Sequence, residues 1–326
     1  MDADLDLLLT TVFVTADDLL PERAGNAARR ITDAEVVTLC VAQAIMGIPS
    51  DRRFLAVASK RLSHLFPRLP QQPGYFKRRR RLGETLEWLM GIFASQSPGF
   101  HDDLMLIDST PVECARSRET VKRSGTNSLD DALGNACDYG YCASHSRYFW
   151  GMRLHVICGL DGTPRALELC SPKVNEREVG LALLDRCHLR GGETLIGDKG
   201  YAGREFASAV NDRNVTLIRP IRRDETITRP AGVTTPALRP AREITPNARA
   251  YRHSTTPEPP HLAPIRQRVE SIIWTAKDIL TLERHGARTL QGLRERTIAR
   301  FCCLAAAITL NHQLGRPPRE FVNYCG

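Results

Sequence analysis

Two apolar runs in this chain end abruptly on an aspartate, and that placement narrows the folds open to it. Leu104-Met105-Leu106-Ile107 runs into Asp108, and Leu195-Ile196-Gly197 runs into Asp198. Runs this short and this apolar read as buried strands. A carboxylate directly behind such a strand is costly to bury unless it is paired, protonated or bound to a cation. Strand ends at one edge of a sheet converge on a crevice, so both acids are expected at one rim of a sheet, where they can share a cation.

The surrounding pattern predicts a mixed α/β fold. Residues 148–160 have the length and the β-branched and aromatic content of a strand, and Asp161-Gly162 is a hairpin signal ahead of a partner strand over 165–170. Helical spacing follows over 176–189 in Val179, Leu183, Leu184 and Cys187. A short helix over 203–211 and a strand over 215–221 complete the order β, β-hairpin, α, β, α, β. That order describes a mixed sheet flanked by helices.

Residues 1–100 read as a small helical domain. Thr32-Asp33-Ala34-Glu35 opens a helix with a capping pattern. Further helices are expected over 52–66 and 82–95, the second with Leu82, Leu86, Leu89 and Met90 on one face. Between them, after the turn residues Pro73-Gly74, lie five consecutive cations, Lys77, Arg78, Arg79, Arg80 and Arg81. Such a run suits contact with a nucleic-acid backbone, or else lines a solvated helix face.

Charge is distributed in a way that agrees with a polyanion partner. The formal total is +8, made of +2 over residues 1–100, −3 over 101–210, +4 over 211–265 and +5 over 266–326. Basic flanks favour phosphate contacts, and an acidic middle suits a cation site. Residues 222–264 are rich in Pro, Arg and Thr and too poor in large apolar residues to build a core, so they read as an insertion within a second domain of residues 101–326. Two helices follow, over 265–283 and 287–314, and the first carries a third acid, Glu270.

Several other classes are disfavoured. No apolar run approaches the roughly 20 residues that span a bilayer, and the acidic opening MDADLDLLLT lacks the basic start of an export signal. A cytoplasmic protein is expected. The ten cysteines are scattered, without the paired spacing of a zinc site or the density of a disulfide scaffold. Ser109 lacks the G-x-S-x-G turn of an activated nucleophile. His155, inside an expected strand, reads as a packed or hydrogen-bonded imidazole. Trp150 and Tyr201 are open to core packing or to stacking on a splayed base.

Taken together, these residues resemble the DDE transposases of bacterial insertion sequences, most closely the IS982-like group. The likeness runs over roughly residues 104–310. It is carried by Ile107-Asp108-Ser109 with Pro111, by Tyr141-Cys142-Ala143-Ser144 and Tyr148-Phe149-Trp150-Gly151, by Asp198-Lys199-Gly200-Tyr201, and by Arg266 and Glu270 followed by Lys277. The resemblance implies an RNase H-like fold, Mg²⁺ or Mn²⁺ as a two-ion cofactor, and double-stranded DNA bearing terminal inverted repeats as partner, with assembly into a homo-oligomer on that DNA. It assigns the acidic triad to Asp108, Asp198 and Glu270, with Asp108 bridging both ions, and gives Arg266 and Lys277 to DNA phosphate positioning. Lys277, two turns after Glu270, falls on about the same helix face at 3.6 residues per turn. A DNA-binding regulator that does not cut, and an RNase H-fold nuclease that does not integrate, are the competing readings. The stretch from Glu113 to Asn135 and the 222–264 segment depart from shorter relatives.

Overall fold

The computed structural model describes residues 3–21, 31–115, 121, 132–142, 146–220 and 262–324. The expectations for the 222–264 insertion, and for most of the 113–135 stretch, lie outside the described residues.

The N-terminal region is helical, in α1 (Ala3–Leu19), α2 (Asp33–Ile45), α3 (Asp51–Arg61), α4 (Gln72–Arg81) and α5 (Gly83–Ser95). Helix α2 starts where its capping signal stands. Thr32 Oγ1 accepts from Glu35 N at 3.0 Å, and Glu35 returns its carboxylate to Thr32 N. Helix α4 departs from the expected turn. Pro73 sits in its first turn, where a missing N–H costs nothing, so the basic run is helical along its whole length.

Strands β1 (Leu104–Ala115), β2 (Asp138–Cys142), β3 (Arg147–Cys158), β4 (Pro164–Cys170), β5 (Thr194–Ile196) and β6 (Thr216–Ile218) build a six-stranded sheet among the described residues. The hairpin from β3 to β4 turns at Asp161-Gly162, where Gly162 has φ +101°, a left-handed value that glycine adopts without penalty. Strand β1 lies between antiparallel β3 and parallel β5, and β6 continues parallel beyond β5. On the far side of β3 lie both β2 and β4, each antiparallel to it. Helix α6 (Glu176–Arg186) leads into β5, and α7 (Arg204–Asn211) connects β5 to β6.

Alternation along β1 sorts its side chains onto two cores, because successive residues of a strand point to opposite faces. Met105 and Ile107 join Ile157, Leu183, Leu195 and Phe206 beneath α6 and α7. Leu106 and Val112 join Leu154, Val156 and Ile196 in a larger cluster on the other face. Helix α8 (Leu262–Trp274) and the long α9 (Leu290–Gln313) cover that second face. Helix α9 is buried nearly all round, and Ala305, Ala306 and Ala307 let its neighbours approach closely. Leu8, Leu39, Leu86 and Leu304 belong to one apolar cluster, so α1, α2 and α5 pack with α9. Both faces of the sheet are covered, and its strand order and directions are those of an RNase H-like fold.

Candidate active site

Strand register brings the first two acids level. Leu106 of β1 pairs with Ile196 of parallel β5, and Asp108 and Asp198, each two residues further on, line one cleft. Strand β1 does not stop at Asp108 as expected. Pairing with β3 carries it on to Ala115, and Asp108 faces Val156 in the ladder. Asp198 does stand past the end of β5. It caps a short turn over Lys199–Tyr201, and its Oδ1 accepts from Gly200 N at 2.7 Å. Asp108 Oδ1 likewise accepts from Ser109 N at 2.7 Å. Gly197 permits this approach, since a Cβ there would stand 3.1 Å from both Ile107 and Tyr201.

The third acid reaches the same place from a helix. Ile272 of α8 is buried in the large core, whereas Glu270 lies on the exposed side. A narrow cleft is lined by Leu106, Ile107, Asp108, Ile196, Gly197, Asp198 and Glu270. Its volume is about 10 Å³, the room of about one water-sized sphere. The cleft has no space for an organic ligand inside it, and its polar lining consists of carboxylates. Oxygen donors of this kind suit hard divalent cations. Among the described residues, no group of three or more His, Cys, Asp or Glu is close enough to hold a metal ion as it stands.

The two aspartates impose their field on buried neighbours. The Tyr201 hydroxyl is held well above its ordinary pKa by burial first and then by Asp108 and Asp198. Burial, with Asp161 and Asp108 adding to it, also pushes the Cys158 thiol up. His155 is fully buried and 3.3 Å from the Tyr201 hydroxyl. Burial and then the Arg153 charge lower its pKa to about 3, so the ring is neutral. It is a hydrogen-bonded core imidazole. Tyr201 and Trp150 are buried too, which removes both from base stacking.

The structure spreads the basic run over different sides of α4, with Arg79 buried. Arg79 is 2% exposed and pairs with Asp51 at 2.7 Å, so a DNA phosphate has no access to it. Arg78 donates to Ile31 O at 2.8 Å and pairs with Asp33, and Arg80 bonds Gln291. A helix turns these neighbours to different sides, which leaves Lys77 and Arg81 exposed on one face, Arg81 within 3.3 Å of Asp33. Lys277 is shifted from its expected face. Residues Thr275–Ile279 form a π-helical turn, closed by Leu280 N to Thr275 O at 3.0 Å. A π turn takes more residues than an α turn, so the 3.6-residue spacing from Glu270 no longer applies. The Lys277 ammonium lies 3.1 Å from Glu283. Arg266 falls on α8, and the reading of its side chain lies outside the described residues.

Sequence reasoning missed a polar group beside the acids. Arg153 of β3 pairs with Glu176, the first residue of α6, and both bond the Ser109 hydroxyl, at 3.3 Å from Arg153 Nη1 and 3.4 Å from Glu176 Oε1. The register of β1 with β3 and the packing of α6 on β3 bring these residues together, and no local motif announces it.

Residues 99–306 match the family model described as the transposase DDE domain. No curated protein and no solved structure matches the chain.

Proposed function

Because this chain belongs to the transposase DDE-domain family, we propose that it is the transposase of an insertion sequence, binding terminal inverted repeats and performing metal-dependent DNA strand cleavage and strand transfer. The observation that supports this most is the single cleft lined by Asp108, Asp198 and Glu270, three acids far apart in sequence. The motif residues around them favour the IS982-like group.

In this reading Asp108 would be shared between two Mg²⁺ or Mn²⁺ ions, with Asp198 holding one and Glu270 the other. When bound, such an ion pair supplies an activated water or 3′-hydroxyl and stabilises charge on the attacking and leaving oxygens. The chain's own contribution is orientation. Ser109 N and Gly200 N each fix one carboxylate oxygen of an aspartate. Leu106 and Ile196, from the apolar core on that face, line the cleft beside the acids. Glu270, on the exposed side of α8, brings the third carboxylate to the cleft from a helix that packs on β1. Lys77 and Arg81 contact the DNA backbone from the N-terminal helical region, and Arg266 and Lys277 serve phosphate positioning. The active unit is a homo-oligomer assembled on double-stranded element ends.

The test is cleavage of a supercoiled donor plasmid carrying the element's native flanks, with and without Mg²⁺. Strand breaks at the element ends that need Mg²⁺ are expected. Sequence-independent nicking would favour a nuclease of the same fold, and specific binding without breaks would favour a regulator.

A further inference from the structure

We propose that Glu176 and Arg153 form a positioning clamp that sets Asp108 and Asp198 from the opposite face of the sheet; this inference rests on the metal-dependent reading of the cleft given above.

Face assignment separates the clamp from the cleft. Ser109 alternates with Asp108 along β1, and its ladder partner His155 contacts Tyr201 on the side covered by α6. Arg153, two residues before His155 in β3, shares that side. Glu176 is not among the residues lining the acidic cleft, so it acts through its neighbours.

Its reach covers both aspartates. Glu176 Oε1 meets Arg153 Nη1 and accepts from Ser109 Oγ at 3.4 Å, while Ser109 N holds Asp108 Oδ1 at 2.7 Å. Glu176 Oε2 points the other way, toward the turn that carries Asp198. A Cβ placed on Gly200 would stand 2.3 Å from Glu176 Oε2 and 2.9 Å from Asp198 Oδ1. The two carboxylate oxygens are thus at most about 5 Å apart, within the range where like charges act strongly on each other. Gly200 N donates to Asp198 Oδ1 at 2.7 Å. Glu176 therefore touches the residue next to Asp108 and packs against the residue that orients Asp198.

Arg153 accounts for how a fourth carboxylate is tolerated there. Its Nη1 supplies the compensating charge to Glu176, and its Nη2 donates to Tyr141 O at 3.0 Å, which anchors the guanidinium to β2. The pair is half-buried, with side-chain exposures of 16% and 27%, so the attraction is only partly screened by water. Held this way, Glu176 contributes position rather than a ligand oxygen, and the charge presented to cations stays that of the cleft acids.

The test follows Mn²⁺ binding to the full chain by loss of the free-ion EPR signal, beside donor-plasmid cleavage, for wild type, R153M, E176Q, the double variant and D198N. R153M exposes an uncompensated Glu176 near Asp198, so Mn²⁺ should bind about three- to tenfold more tightly while cleavage falls about tenfold or more. E176Q leaves Arg153 uncompensated and should weaken Mn²⁺ by a similar factor. The double variant should return to within about twofold of wild type in affinity, yet stay slow in cleavage, a split that simple loss of structure does not produce. Equal or same-direction affinity changes in R153M and E176Q overturn the clamp. D198N separates the two ideas: weakened Mn²⁺ binding in D198N keeps the cleft reading even if the clamp fails, and unchanged binding ends both. Should R153M or E176Q not fold, R153K and E176D keep the charges and shorten the reach. These are expected to hold Mn²⁺ affinity within about twofold and lose cleavage, and full cleavage in both overturns the clamp.

Discussion

Arg79 and Asp51 meet at 2.7 Å with side-chain exposures of 2% and 7%, so a residue from the middle of a five-cation run is a core residue. Arg296 of α9 also reaches Asp51 at 2.7 Å, and Gln43 of α2 at 3.0 Å, so one carboxylate joins three helices to the start of α3. Removing one partner of a buried pair leaves the other charge stranded. Arg79→Ala is expected to lower unfolding stability by about 3–5 kcal/mol, measured by urea unfolding at neutral pH. A loss below about 1 kcal/mol would mean that solvent reaches Asp51 and replaces the pair.

The exposed members of the run should behave differently. Lys77→Ala with Arg81→Ala is expected to leave stability within about 0.5 kcal/mol. In binding to element-end DNA, the same change should reduce the slope of log affinity against log salt by about 2. An unchanged slope in a fluorescence anisotropy titration would return both residues to the solvated surface.

At the cleft, Asp108→Asn, Asp198→Asn and Glu270→Gln are each expected to cut Mg²⁺-dependent cleavage by about a thousandfold or more, roughly 4 kcal/mol of barrier. DNA affinity in a gel-shift assay should stay within about threefold, because the charges lost do not touch the phosphates at a distance. Whichever variant still cleaves at the wild-type rate loses its place in the triad.

Acid sensitivity should trace to Asp161 and Asp51. Burial opposes the charged form of Asp161, but donors from Thr163 N, His312 and Ser97 outweigh it and hold the pKa below the usual carboxylate value. At Asp51 burial is likewise overcome, by the Arg79 hydrogen bond and charge and by Arg296. A carboxylate whose folded pKa is depressed releases its proton more readily in the native state. Its stabilisation is therefore complete above the unfolded value, about 3.9, and is lost as pH falls through the lower folded value. Asp161→Asn is expected to be less stable than wild type at pH 7, by about 1–3 kcal/mol, and to lose less on going to pH 3. Parallel curves in denaturant titrations at the two pH values would remove Asp161 from this account.

What could be read in advance was whatever local chemistry decides. The capping box at Thr32 and Glu35, the Asp161-Gly162 hairpin and the apolar runs ahead of Asp108 and Asp198 all lie where the sequence places them. Other features depend on pairing between distant segments. Strand β1 continues to Ala115 because β3 offers a ladder. Pro73-Gly74 marks a turn by composition, yet Pro73 is tolerated in the first turn of a helix that Tyr75 and Arg79 anchor to the core. The π turn at Thr275–Ile279 defeats any argument from a constant period, and with it the alignment of Lys277 with Glu270. Glu176 and Arg153 carried no signal at all, since 23 residues separate them and only the meeting of β3 with α6 joins them.

The apolar cluster that joins α1, α2 and α5 to α9 also imposes an order of events during synthesis. Residues 3–95 leave the ribosome long before residues 290–313, so the apolar surface that the early helices turn toward α9 has no cover until that last long helix emerges. A fragment of residues 1–286 is expected to be digested by a protease many times faster than the whole chain, and equal resistance would show that the early helices close by themselves. If they do not, a gene copy interrupted upstream of residue 290 yields no half-working product that could occupy an element end and block it. Such a product would be cleared by the cell's proteases instead, and only finished copies would compete for DNA.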